Sequence, residues 1–207
     1  MSIIVVVKKA GKAVIAADTL YSFGTVKVSP TYTHRHHKIH QCRESFLGLV
    51  GASAHDGVLQ HLIKHHSNKL SFDSKADIFD TYLRIHPILK ENYFINTNEG
   101  DNDEYESSQI DALVANPYGI FGMYSWREVY EFEKFWALGS GKDFALGVMF
   151  TIYDSFDEPE EIAAAAVKAA CEFDDGCGLP MQIHSIELSE SAPEPKPRGK
   201  SNRLKRS

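Results

Sequence analysis

Apolar residues in this chain come in short, dense blocks separated by polar or glycine-containing turns. Ile3 to Val7 is an unbroken β-branched run and Ala13 to Ala17 is a second apolar block, with Ala10-Gly11 between them. The pattern predicts a hairpin. Its strands are continuously apolar rather than alternating, which predicts a sheet covered on both faces. A polar ribbon or loop follows from Thr19 to Gln41, and Phe46 to Gly51 reads as another buried strand. Val58, Leu59, Leu62 and Ile63 then recur at helical spacing, as do Ala76, Ile78, Phe79, Tyr82, Leu83 and Ile85 ahead of Pro87, where the second helix should kink or restart. Three further strands are expected at 110–115, 118–124 and 129–138, divided by Asn116-Pro117 and Ser125-Trp126-Arg127.

After the third of these strands, Asp143 to Tyr153 reads as a mostly apolar helix. Pro159 lies near the start of another, running to about Phe173, with Glu158, Glu160 and Glu161 where carboxylates meet exposed helical amides. Alanines 163 to 166, 169 and 170 leave room for a close neighbour, and Met181 to Leu188 makes a last strand. The order β-β-β-α-α-β-β-β-α-α-β suits an α+β fold of two stacked, largely antiparallel sheets with helices outside, rather than a βαβ dinucleotide fold.

Composition narrows the functional classes. The 207 residues are 43% hydrophobic and 24% charged, with a formal net charge of −6, so one domain is expected and nucleic acid is disfavoured as a partner. Six acids and no Lys or Arg lie between Asn96 and Asp111, which predicts an exposed loop. Six bases and three prolines fill 191–207, which predicts a disordered tail behind a domain at 1–190. Cys42, Cys171 and Cys177 form no CxxC pair, arguing against a disulfide framework or a structural zinc site. No apolar run approaches 18 residues, so neither a secretory signal nor a membrane span is expected, and the cytoplasm is the default compartment.

The chemistry-bearing feature is at the start. With Met1 removed, Ser2 would carry both a hydroxyl nucleophile and a free α-amine to activate it, and no histidine base would be needed. Asp18 ends the second strand, where Asp-Thr also commonly opens a loop. His34, His36, His37 and His40, and separately His61 and His65 on one helical face, raise a metal reading. They lack a spaced Cys or carboxylate set, and surface or interface histidines are the plainer account. Gly139-Ser140-Gly141 is not followed by a GxGxxG pattern, so no dinucleotide cofactor is expected.

Ser2-Ile3-Ile4-Val5-Val6-Val7-Lys8-Lys9, Gly11, Ala13-Val14-Ile15-Ala16-Ala17-Asp18, Lys38-Ile39, Gly48-Leu49-Val50-Gly51, Gly139-Ser140-Gly141 and Asp174-Asp175-Gly176-Cys177-Gly178 stand in an order and spacing that resembles the proteasome β-subunit family of N-terminal nucleophile hydrolases, including bacterial HslV-type peptidases. The resemblance covers most of 2–188 and implies a four-layer αββα sandwich. By position it implies that Ser2 stands where the family has its mature N-terminal threonine, Asp18 and Lys38 are the supporting charges, and the Gly51 N–H serves the oxyanion. It also implies that Ser140 bonds the terminal amine, with Asp174 a second aspartate near it. Serine lacks the β-methyl that restricts χ1, so its hydroxyl is less firmly oriented than threonine's. Cys177 replaces a serine found in many relatives.

The implied activity is a self-compartmentalising peptidase acting on peptides or unfolded proteins as a homo-oligomer, without cofactor or metal. Any ATP-driven unfoldase would be a separate protein, because no Gly-x-x-x-x-Gly-Lys-Ser/Thr motif is present. A small-amide amidohydrolase on the same fold and a catalytically silent structural subunit remain open beside it.

Overall fold

The computed structural model describes residues 2–28, 30–33, 37–98, 100 and 104–189. Met1, His34, His36, part of the acidic stretch and the basic tail lie outside the described residues. The opening hairpin is β1 (Ile3–Lys9) and β2 (Lys12–Asp18). It turns through Ala10 and Gly11, both at positive φ. The ribbon after it contains more structure than expected: a short hairpin of β3 (Tyr21–Phe23) and β4 (Val26–Val28), then β5 (Ile39–Cys42). These are followed by β6 (Ser45–Val50), α1 (Ala54–His66), α2 (Lys75–Asn92), β7 (Asp111–Asn116) and β8 (Gly119–Met123). The remainder is β9 (Val129–Phe132), β10 (Phe135–Gly139), α3 (Lys142–Ile152), α4 (Pro159–Phe173) and β11 (Met181–Glu187).

Two antiparallel sheets result, ordered β10-β1-β2-β11 and β5-β6-β7-β8-β9. They stack face to face. Ile4, Val6, Ile15 and Ala17 of the first sheet pack with Ile39, Leu113, Ala115 and Ile120 of the second. On the other face of the first sheet, Ile3, Val5, Val7, Val14 and Ala16 meet Ala145 and Met149 of α3 and Ile162, Ala163, Ala166 and Ala170 of α4. On the other face of the second, Leu47, Leu49, Ala112, Val114 and Phe121 meet Leu59 and Leu62 of α1 and Ile78, Tyr82, Ile85 and Leu89 of α2. The architecture is the four-layer αββα sandwich. β1 is apolar throughout because both its faces are interior, and each fully buried Ile or Val contributes about 1.5–3 kcal/mol. The sheets lie in close contact at Gly48, where a Cβ would lie 2.7 Å from Cγ2 of Ile4.

Two expectations need correction and a third is narrowed. The single strand expected at 129–138 is two strands in different sheets: β9 pairs with β8, β10 pairs with β1, and only Glu133-Lys134 join them. Of the two outcomes expected at Pro87, a kink or a restart, the restart is excluded, because α2 continues to Asn92. Pro87 and Leu83, four residues before it, are both exposed, so the carbonyl that loses its partner is on the solvent side. The stretch from 96 to 111 is not simply exposed. Thr97, Ser107 and Ser108 are buried, because the Ser107 N–H donates to the Thr97 carbonyl at 2.8 Å and the Ser108 N–H to the Ser125 carbonyl at 2.7 Å.

Candidate active site

The start of β1, the end of β2 and the end of β10 meet at one end of the first sheet. Ile3 is paired with Gly139, and Ile4 with Ala17. This register sets Ser2 beside the Gly139-Ser140-Gly141 turn and Asp18. The Ser2 N–H donates to Ser140 Oγ at 3.3 Å, and the Ser2 carbonyl accepts the Gly141 N–H at 3.4 Å and the Ser140 hydroxyl at 3.5 Å. The following N–H, of Ile3, donates to Asp18 Oδ1 at 3.0 Å. Both sides of the Ser2–Ile3 peptide are therefore held. Ser2 itself is only 7% exposed.

Asp18 is fully buried and Lys38 is 5% exposed. The Lys38 ammonium donates to Asp18 Oδ1 at 2.7 Å, while Oδ2 accepts the N–H groups of Leu20 at 3.2 Å and Gly178 at 3.0 Å. A buried carboxylate costs several kcal/mol unless its charge and lone pairs are satisfied. Here one cation and three backbone amides do so. Lys38 is held in turn through its backbone: its N–H donates to Gln182 Oε1 of β11 at 2.9 Å, and its carbonyl accepts from Leu49 of β6 at 3.3 Å. It therefore spans the two sheets. Its ammonium also lies 5.4 Å from the centre of the Tyr21 ring.

A cavity of about 290 Å³ opens beside this group, with Ser2, Lys38 and Gly51 among its lining residues. Gly51 follows β6 at a φ of 108°, a conformation that side chains disfavour and that leaves the backbone bare toward the cavity.

Among the described residues, the hydrogen bonds that join Ser2, Asp18, Lys38 and Ser140 do not extend to Asp174. Its carboxylate accepts the Gly176 N–H at 2.6 Å, shaping the turn after α4 that delivers Gly178 to Asp18. Cys177 lies in the same turn, buried, and burial pushes its thiol up to about 12. Cys171 is raised to about 11 for the same principal reason. Neither is poised as a thiolate. No group of three or more His, Cys, Asp or Glu residues able to hold a metal is found among the described residues, and none of their helices is long and apolar enough to cross a membrane.

The roles of five contributors were missed in the sequence. Gly139 has a φ of 109°, and a Cβ there would lie 2.1 Å from the Ser2 carbonyl oxygen, so it must be glycine for the terminus to sit as it does. Gly178 and Gln182 act from the far end of the chain, and Leu20 and Tyr21 from a ribbon that reads as loop. Gly139 and Gly178 stood within the motifs that carried the family resemblance, without a role of their own, whereas Leu20, Tyr21 and Gln182 carried no signal.

The fold is similar to that of Thiobacillus denitrificans BPH, with a TM-score of 0.85 and 38% identity over 91% of this chain and 100% of that one. The same protein in complex with epoxomicin gives 0.82 and 38%, over 90% and 99%. Eukaryotic HslV from Trypanosoma brucei matches at a TM-score of 0.66 and 16% identity, over 89% and 99%, a likeness of fold alone. No protein-family model matches the chain, and no curated protein does.

Proposed function

Because the chain belongs to the proteasome-β-like N-terminal nucleophile hydrolases, we propose that it is a peptidase that cuts peptide bonds with the Ser2 hydroxyl once Met1 has been removed. The observation that carries this reading is Asp18, whose Oδ1 takes both the Lys38 ammonium and the N–H immediately after Ser2.

With Met1 attached, the Ser2 nitrogen is an amide without a basic lone pair. Removal turns it into an amine, and the Lys38 ammonium nearby lowers that amine's pKa, favouring the neutral base. The amine then takes the hydroxyl proton as the oxygen attacks the scissile carbonyl. Gly51 offers a backbone N–H to the resulting oxyanion, a donor fixed before charge develops. Collapse passes the proton to the leaving amine and leaves an ester on Ser2, and water activated by the same α-amine releases the carboxylate product. Ser140 orients the amine, and Asp174 supports the turn beneath Asp18.

Peptides or unfolded proteins are the proposed substrates, the proposed form is a cytoplasmic homo-oligomer, and any ATP-driven unfoldase is a separate chain. Intact-mass measurement on native protein should show loss of Met1 and a free amine on Ser2. An electrophilic peptide should label Ser2, prior epoxomicin should block the label, and Ser2→Ala should abolish both labelling and hydrolysis. Quantitative Met1 retention in cleaving protein, or labelling at a cysteine, defeats the proposal. Light scattering checks assembly, and a monomer that hydrolyses only small amides would promote the amidohydrolase reading instead.

A further inference from the structure

The cavity beside Ser2 has an apolar wall and a charged one. Leu20, Leu49, Val50 and Ala52 line it together with the hydroxyls of Ser22 and Ser53 and with Asp56 in the first turn of α1. We propose that this cavity receives a Lys or Arg side chain from the acyl side of the cut bond, with Asp56 as its charge partner; the inference rests on the peptidase reading above. A basic side chain has the matching form, an apolar stem carrying a cationic head.

Charge decides between a basic and an acidic occupant. Two charged side chains of opposite sign also reach this region, but Lys38 and Asp18 neutralise each other at 2.7 Å. Among the described residues, Asp56 has no Lys or Arg partner: Oδ1 is bonded to Nε2 of His40, and Oδ2 accepts the Gln60 amide at 2.8 Å. Each oxygen keeps a further lone pair, and the side chain is 19% exposed. Tyr21, in the same wall, has its phenol pushed up to about 12, first by burial and then by the charges of Asp56 and Asp18. The negative field therefore reaches across the wall, and the phenol stays neutral. The N-terminus of α1 pulls the other way, but its effective charge of about half a unit is outweighed by the full charge on Asp56.

The test measures binding at pH 8 with three product-like peptides, identical except for a C-terminal Arg, norleucine or Glu. Fluorescence anisotropy should show Arg at least 10-fold tighter than norleucine, with Glu weakest. Asp56→Asn should bring Arg to within twofold of norleucine, and Asp56→Glu should keep the preference. Ser22→Lys, which adds a resident cation without touching Asp56, should also remove it, and serves if Asp56→Asn melts out. Equal binding of Arg and norleucine, tightest binding of Glu, or a preference that survives in Asp56→Asn overturns the proposal. Hydrolysis is scored separately against Ser2→Ala. Arg-selective binding without Ser2-dependent hydrolysis sinks the peptidase reading and keeps the cavity's preference, whereas Ser2-dependent hydrolysis with indifferent binding does the reverse.

Discussion

Asp18 and Lys38 are twenty residues apart in sequence and form an ion pair of 2.7 Å at the end of the two stacked sheets, with side-chain exposures of 0% and 5%. Asp18 belongs to β2 of one sheet, and Lys38 directly precedes β5 of the other. The pair thus joins the layers as well as the charges.

Lys38→Ala leaves the Asp18 carboxylate buried without its cation. Breaking such a pair costs about 3–5 kcal/mol, and loss of a main electrostatic contributor lowers turnover by roughly 100-fold or more. Chemical denaturation and peptide turnover on assembled protein check both. Unchanged turnover, with Met1 already removed, would dismiss Lys38 from the reaction.

Gly139→Ala puts a methyl against the Ser2 carbonyl at a backbone angle that disfavours it. The strain is about 1–3 kcal/mol, and a displacement of Ser2 near 1 Å lowers turnover by about 100-fold. Gly11→Ala is the control, since its φ is also positive but nothing lies within 4 Å of the added carbon. Gly11→Ala should lose stability only. Equal turnover in the two variants would show that the contact at Gly139 does not position Ser2.

Thiol reagents should leave activity intact. With Cys177 at about 12 and Cys171 at about 11, only roughly one thiol in a thousand or fewer is ionised at pH 8. Iodoacetamide at that pH should not change peptide turnover, and rapid inactivation that tracks alkylation of Cys177 would move the chemistry to sulfur.

His184 stacks on Phe46 with ring centres 4.6 Å apart, and burial, helped by His37, lowers its pKa. The unfolded chain therefore binds this proton more readily than the folded one. Its effect is absent above the unfolded value of about 6.5 and grows as a loss of stability as pH falls toward the lower folded value. His184→Phe keeps a stacked ring without a titrating nitrogen. Its melting temperature relative to the parent should rise between pH 7.5 and pH 5, and a constant difference across that range would exclude the linkage.

The elements with both faces interior were the most legible in sequence, because a run such as Ile3 to Val7 has no other stable home in water. The layer order followed from the alternation of strand groups with helix pairs. The split between β9 and β10 was hidden, because Glu133-Lys134 carry no Gly or Pro to announce a change of sheet. In the candidate site, Ser2, Asp18, Lys38 and Ser140 were reachable through register with a known family. Leu20 and Gln182 were not, since they contribute a backbone amide or a side-chain amide from positions that composition does not distinguish, and Gly178 stood in the matched motif without its role.

The two-residue link between β9 and β10 has a mechanical consequence. It ties the sheets at their edges beside Lys8, where the Lys134 carbonyl accepts the Lys8 N–H at 2.7 Å. Ser2 lies at the opposite end of β1, about 20 Å away at some 3.3 Å per residue. The sandwich is fastened at both ends, by Glu133-Lys134 at one and by the Asp18–Lys38 pair beside Ser2 at the other. Over that length, a change of about 3° in the tilt between the sheets would shift one end by about 1 Å relative to the other, a misplacement that can cost a reaction about 100-fold. The placement of Ser2 against Gly51 is thus set by both fastenings and by the packing between them.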